Sequence, residues 1–125
     1  MTPPCIAVVD DDPDLLALVA MVLLLGGHDS MGFRTSIDAS RGIKERQPAL
    51  AIVDLNLERR GAGLEVVEAL RNDPTTAHIP IIVWSSDPDV EHIMARRTLD
   101  GVVVRVKPVR PEDLLRLITE LLPAR

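Results

Sequence analysis

Apolar residues in this chain fall into two rhythms. Four short runs are unbroken and rich in β-branched residues: "CIAVVD" (5–10), "ALAIVD" (49–54), "IPIIVWS" (79–85) and "GVVVRV" (101–106). They have the length and composition of strands buried on both faces. A fifth run, "DSMGFRT" (29–35), is more polar and reads as another strand. The segments between them repeat with helical spacing. "PDLLALVAMVLLLGG" (13–27) starts with proline after an aspartate cap and stops at Gly26-Gly27. Helices are also expected over 36–47 with Ser36 as cap, 63–73 ending before Pro74, 87–100, and 111–122 with Pro111 near its start. No repeat, low-complexity stretch or linker interrupts the series. Strand–helix alternation of this kind predicts one α/β domain: a parallel sheet covered by helices on both faces.

In such sheets ligands bind outside the carboxyl ends of the strands. That edge collects the polar residues of this chain. Asp10, Asp11 and Asp12 follow the first strand, Asp54 ends the third, Ser85 ends the fourth and Lys107 follows the fifth. Each has an ordinary reading alone: Asp12 as a helix cap, Asp14 as a first-turn acid, Asp54 as a solvated strand end, Lys107 as a surface charge. Together they converge on one spot. Two carboxylates ~4 Å apart at an effective dielectric near 20 repel by roughly 4 kcal/mol, so the cluster needs neutralising. Hard carboxylate oxygens suit Mg²⁺, which binds through one or two carboxylates, a carbonyl and waters. Asp10 and Asp11 are expected to hold the metal and Asp12 to cap the helix. A carboxylate beside such a metal can attack phosphorus and form an aspartyl phosphate, with a hydroxyl and a lysine on the remaining phosphoryl oxygens.

Composition narrows the class. The chain has 125 residues, and aromatics are only 2%, so the core is aliphatic. The net charge of −5 argues against non-specific binding to a phosphate backbone. The single cysteine, Cys5, excludes an internal disulfide and reads as a small core residue. No apolar run reaches membrane-spanning length, and "MTPPC" lacks the features of a secretory signal, so a cytoplasmic protein is expected. His28, His78 and His92 are scattered and read as surface or loop residues. Trp84 reads as packing, beside Ser85. Arg96, Arg97, Arg105, Arg110 and Arg116 gather around the last two helices and the fifth strand, as a solvated face or a partner face.

"VVDD" (8–11), "AIVDLNL" (51–57), "PIIVWSS" (80–86) and "VKP" (106–108), in that order and spacing, resemble the receiver domain of two-component response regulators. The resemblance covers roughly residues 5–122. It implies a flavodoxin-like (βα)5 fold with five parallel strands in the order 2-1-3-4-5, and residues 1–125 as a single receiver without an output domain. It implies Asp54 as phosphoacceptor, Asp10 and Asp11 as the acidic pair with Asp11 the direct ligand of Mg²⁺, and Asn56 lending its backbone carbonyl to the metal. Ser85 takes the place of the family's switch hydroxyl. Lys107 meets the phosphoryl group, Ser86 meets the demand for a small residue, and Lys107-Pro108 is implied to be cis.

Three positions depart from the family pattern. Val104 stands where tyrosine or phenylalanine is usual, Glu58 where proline is usual, and Val109 follows Lys107-Pro108 in place of phenylalanine. The loop before Gly63-Leu64 is one residue longer. Val104 is expected to mute the usual output route, shifting it to the loops after Asp54 and Ser85, including Asn56 and Asp87.

By this resemblance the chain is a signalling switch rather than an enzyme. It takes a phosphoryl group from a histidine kinase or phosphotransfer protein and signals by protein contact or phosphorelay, as a monomer or weak dimer, without direct nucleic-acid or membrane binding. Alternatives are a degenerate receiver acting as a phosphate-independent module, or the receiver of a longer DNA-binding regulator or hybrid kinase. An aspartyl phosphohydrolase of the haloacid-dehalogenase type would need an acid at Asn56, and amide nitrogen cannot fill that role. A flavodoxin would need a Ser/Thr/Gly-rich phosphate loop after the first strand, which is not there.

Overall fold

The structure, a computed structural model, describes residues 3–96 and 99–123. Five strands and five helices alternate along it: β1 (Cys5–Val9), α1 (Pro13–Leu25), β2 (Asp29–Phe33), α2 (Ser36–Arg46), β3 (Leu50–Asp54), α3 (Ala62–Asn72), β4 (Ile81–Ser85), α4 (Val90–Ala95), β5 (Val102–Val106) and α5 (Pro111–Leu121). All strand pairs are parallel and the order is β2-β1-β3-β4-β5, as the resemblance implied. The order reverses between β1 and β3, the point at whose carboxyl edge sheets of this kind bind ligands.

Burial follows the two rhythms. Every residue of β3 and of β4 is buried, the consequence of helices on both faces. Alternate strand residues feed separate cores. Ile6, Val8, Leu50, Ile52, Ile82 and Trp84 pack with Val19 and Leu23 of α1 and Leu114, Leu117 and Ile118 of α5. Ala7, Val9, Ala51, Val53, Ile81 and Val83 pack with α2, α3 and α4 on the other face. Among the described residues, no helix is long and apolar enough to cross a membrane.

Several local expectations are corrected. Thr35, not Ser36, caps α2: its side chain accepts the Asp38 N–H at 3.3 Å, and Ser36 is the first helical residue. The fourth helix spans only Val90–Ala95, not 87–100. The Asp87 carboxylate accepts the Asp89 N–H at 2.9 Å, and this side-chain turn holds 87–89 out of the helix. Arg97 and Thr98, part of the expected helix, lie outside the described residues. Cys5 is half-buried at the start of β1, at the rim of the core rather than inside it.

Candidate functional site

The acidic run after β1 divides its labour. Asp10 is 1% exposed, and both of its oxygens are engaged: Oδ1 accepts the Asp12 N–H at 3.0 Å and Oδ2 accepts the Lys107 ammonium at 2.7 Å. Asp11 is exposed, and its carbonyl accepts from the Arg34 guanidinium at 3.3–3.4 Å. Asp12 turns away to cap α1, accepting the N–H groups of Asp14 and Leu15. At the end of β3, Asp54 is 8% exposed; Oδ1 accepts the Asn56 N–H at 3.1 Å and Oδ2 accepts from Lys107 at 3.1 Å. One ammonium therefore bridges two buried carboxylates that β1 and β3 bring side by side. Carboxylate oxygens of Asp10, Asp11 and Asp54 lie within 4.8 Å of one another.

Lys107 is aimed by the backbone. Its N–H donates to the Ser85 carbonyl at 2.8 Å, extending the β4–β5 ladder by one bond, and the Lys107-Pro108 peptide is cis, as expected. Burial pulls the ammonium's pKa down, but its bond to Asp10 and the charge of Asp54 outweigh that and hold it above the ordinary lysine value. Burial raises the Asp54 carboxyl above the usual aspartate value, against the opposing pull of Lys107 and of the Asn56 N–H. A carboxylate with a raised pKa is the stronger nucleophile. Ser85 is 1% exposed at the end of β4; its hydroxyl accepts the Asp87 N–H at 3.1 Å and makes no hydrogen bond to Asp54. Lys107, Asp10 and Asp54 are thus joined directly, while Ser85 stands next to them without joining.

The loop from Leu55 to Gly61 is braced from both ends. Leu55 and Leu57 are buried, and Asn56 Oδ1 accepts the Gly61 N–H at 2.9 Å. Glu58, where the family pattern has proline, reaches to α2, accepting the N–H of Ser36 at 2.9 Å and its hydroxyl. Arg59 pairs with Glu65 at the start of α3. Gly61, at φ 80°, takes up the left-handed turn that begins α3. Gly63 packs on the backbone of Asp54 itself: a Cβ there would stand 1.8 Å from the Asp54 carbonyl oxygen. Arg34 escaped the functional reading of the sequence, while Glu58 and the loop before Gly63 entered it only as departures from the family pattern, without the contacts they make.

The donor set fits a hard divalent cation, because carboxylate oxygens from Asp10, Asp11 and Asp54 gather in one place. The remaining candidates sit elsewhere. Val104 lines a groove of about 240 Å³ with Glu91, Met94, Ala95, Leu99 and Val102. His78 and His92 are exposed and His28 is half-buried in the turn after α1. Trp84 is buried in the core between the sheet, α1 and α5. Of the basic residues, Arg110 and Arg116 both pair with Asp113, Arg105 bonds the Val104 carbonyl, Arg96 approaches His92, and Arg97 lies outside the described residues.

Comparison with known proteins gives a consistent answer. The family described as Response regulator receiver domain matches residues 6–119. The transcriptional regulatory protein PrrA of Mycobacterium tuberculosis is 30% identical over 128 residues, which cover 100% of this chain and 52% of that protein. The chain spans about half the length of the curated relatives it matches. Its fold is shared with the chemotaxis response regulator CheY4 of Vibrio cholerae, at a TM-score of 0.85 and 22% identity, covering 97% of this chain and 100% of that one. It is shared too with the receiver domain of the sensor histidine kinase PA1611 of Pseudomonas aeruginosa, at a TM-score of 0.82 and 18% identity, covering 95% and 97%. That protein holds a magnesium ion in its active-site cleft.

Proposed function

Since this chain belongs to the response regulator receiver domain family, we propose that it is a phosphoacceptor switch in which Asp54 receives the phosphoryl group. The observation that carries the reading is the convergence of the Asp10, Asp11 and Asp54 carboxylates within 4.8 Å, with the Lys107 ammonium bonded to both Asp10 and Asp54. Bare surface acids do not draw a half-buried lysine between them in this way; a site built to handle a change of charge does.

Asp54 Oδ attacks the phosphorus of a phosphohistidine on a histidine kinase or phosphotransfer protein. A P–O bond forms as the P–N bond breaks, and the leaving imidazole takes up a proton. Lys107 already touches Asp54 Oδ2, so its ammonium can turn to a phosphoryl oxygen with little movement. Ser85 has no bond to Asp54 in the structure; its hydroxyl proton is the donor for a second phosphoryl oxygen once the loop after β4 moves inward. The Asn56 N–H holds Asp54 Oδ1 and fixes which oxygen faces outward. Asp10, Asp11 and Asp54, with the Asn56 carbonyl, would hold Mg²⁺, which when bound supplies positive charge against the carboxylates and the phosphoryl oxygens. The chain assists its own phosphorylation and hydrolysis without turning over a separate substrate.

The test is to incubate the protein with Mg²⁺ and acetyl phosphate and weigh it intact. The expected result is a gain of one phosphoryl group, absent from Asp54→Asn. A gain of the same size in Asp54→Asn would overturn the assignment.

A further inference from the structure

The three acids at the carboxyl edge are held to different degrees. Asp10 is fixed at both oxygens, by the Asp12 N–H and by Lys107. Asp54 is fixed at both, by the Asn56 N–H and by Lys107. Asp11 is exposed, and among the described residues the one group bonded to it is the Arg34 guanidinium. Arg34 Nε and Nη2 both donate to the Asp11 main-chain carbonyl, at 3.4 and 3.3 Å. Arg34 stands where the backbone ladder stops. Strands β1 and β2 pair in register from Cys5 with Asp29 to Val9 with Phe33, and the Asp10 N–H makes the last bond, to the Phe33 carbonyl at 3.0 Å. Beyond it both chains turn into helices, with Asp12 capping α1 and Thr35 capping α2. Asp11 is left between strand and helix, and Arg34, one residue past β2, supplies from its side chain the donors that the ladder lacks. A guanidinium beside carboxylates ordinarily pairs with one. Here, among the described residues, Arg34 forms no ion pair, so the Asp11 carboxylate oxygens stay free to face those of Asp10 and Asp54.

We propose that Arg34 is a positioning residue for Mg²⁺: by forking onto the Asp11 carbonyl it holds that carboxylate beside those of Asp10 and Asp54. This deepens the proposed function and rests on its assignment of the three acids to a divalent cation. Two donors on one acceptor fix the plane of the guanidinium as well as its distance, which a lysine ammonium cannot do. A charge role and a positioning role have opposite signs. As a bare positive charge Arg34 repels Mg²⁺, so its removal would tighten binding, by roughly fivefold at most for an exposed charge. As a positioning group its loss weakens binding, by about tenfold, the lower end of the range for groups that orient a metal ligand.

NMR titration of the full chain with MgCl₂ at constant ionic strength separates the two roles. Arg34→Lys keeps the charge and loses the fork; Arg34→Met loses both. Each should bind Mg²⁺ about tenfold more weakly than the wild type. In EDTA, amide relaxation should show larger fast motion at Asp11 in both variants, since the bonds from Arg34 are gone. Saturating Mg²⁺ should restore the wild-type rate of phosphorylation by acetyl phosphate, because Arg34 acts only through Asp11. Affinity at or above the wild-type value in either variant would make Arg34 a charge or a bystander and overturn the proposal. So would an Asp11 amide as rigid in the variants as in the wild type. A rate that stays low at saturating Mg²⁺ would place Arg34 on the phosphoryl group and also overturn it. Wild-type protein that binds no Mg²⁺ would remove the cation assignment itself, a failure visible before any variant is compared.

Discussion

The ammonium of Lys107 lies 5.1 Å from the centre of the Trp84 ring while bonding Asp10 and Asp54 with its protons. The lysine that completes the acidic site is thus also in cation–π contact with the tryptophan buried behind it. Any charge that draws the ammonium forward loosens that contact. Trp84 emission should therefore change when Mg²⁺ or beryllofluoride is added. In Lys107→Met the response should fall to a small fraction of the wild-type change. An undiminished response in Lys107→Met would mean that the indole senses something other than the ammonium.

Gly63 fixes the loop after Asp54 by close approach. Its N–H donates to the Leu55 carbonyl at 2.9 Å, and a Cβ would collide with the Asp54 carbonyl oxygen. Gly63→Ala must push α3 away from the end of β3. The expected cost is about 1–3 kcal/mol in urea unfolding, the range for overpacking a tight contact, with slower phosphorylation by acetyl phosphate. Wild-type stability and rate in the variant would refute the contact.

Glu58 ties the loop to the first turn of α2 through the N–H and hydroxyl of Ser36. The Ser36 hydroxyl bond, opposed slightly by burial, holds the Glu58 carboxyl below the ordinary glutamate value. A depressed folded-state pKa means the contact stabilises the fold above the unfolded value, near 4.5, and that this contribution fades as pH falls through the lower folded value. Both groups are exposed, so the effect is small, about 0.5 kcal/mol. Glu58→Ala should lower stability by that amount at pH 7 and by progressively less as the solution is acidified. Carbon-detected NMR titration of Glu58 measures the shift directly; a midpoint at or above 4.5 would remove the argument.

Much of this site was legible in the sequence because it lies on strand ends. Unbroken apolar runs announce buried parallel strands, and parallel strands deliver their last residues to one edge, so Asp10, Asp54, Ser85 and Lys107 could be gathered before any coordinates. The fit of the acidic cluster to a divalent cation follows from charge repulsion among carboxylates gathered at that edge. What could not be read were contacts with no period. Glu58 meets Ser36, Arg34 meets Asp11, and Arg71 donates to the carbonyls of Ile79, Asp100 and Gly101, each across a fold whose loops set the distance. Short helices fared worst: α4 buries only Val90 and Met94, too few positions for a 3.6-residue repeat to mark its ends.

Val104 sets the last prediction. Its side chain faces the groove of about 240 Å³ between α4 and β5, lined by Met94, Ala95, Leu99 and Val102, so the small residue leaves open space where the family pattern has an aromatic. A valine has one stiff torsion and moves little surface. A switch moves only as far as the differential free energy of its two states allows. With no large ring to shift, beryllofluoride should change the backbone NMR signals near Asp54 and Ser85 more than those of residues 90–95 and 102–106. Val104→Phe should enter the groove and bury more apolar surface, raising stability by about 1 kcal/mol. It should also extend the signal changes into α4 and β5. If the wild type already shows changes across α4 and β5 as large as those at Asp54, the small side chain does not restrain the response. If Val104→Phe loses stability instead, the groove is closed to a ring.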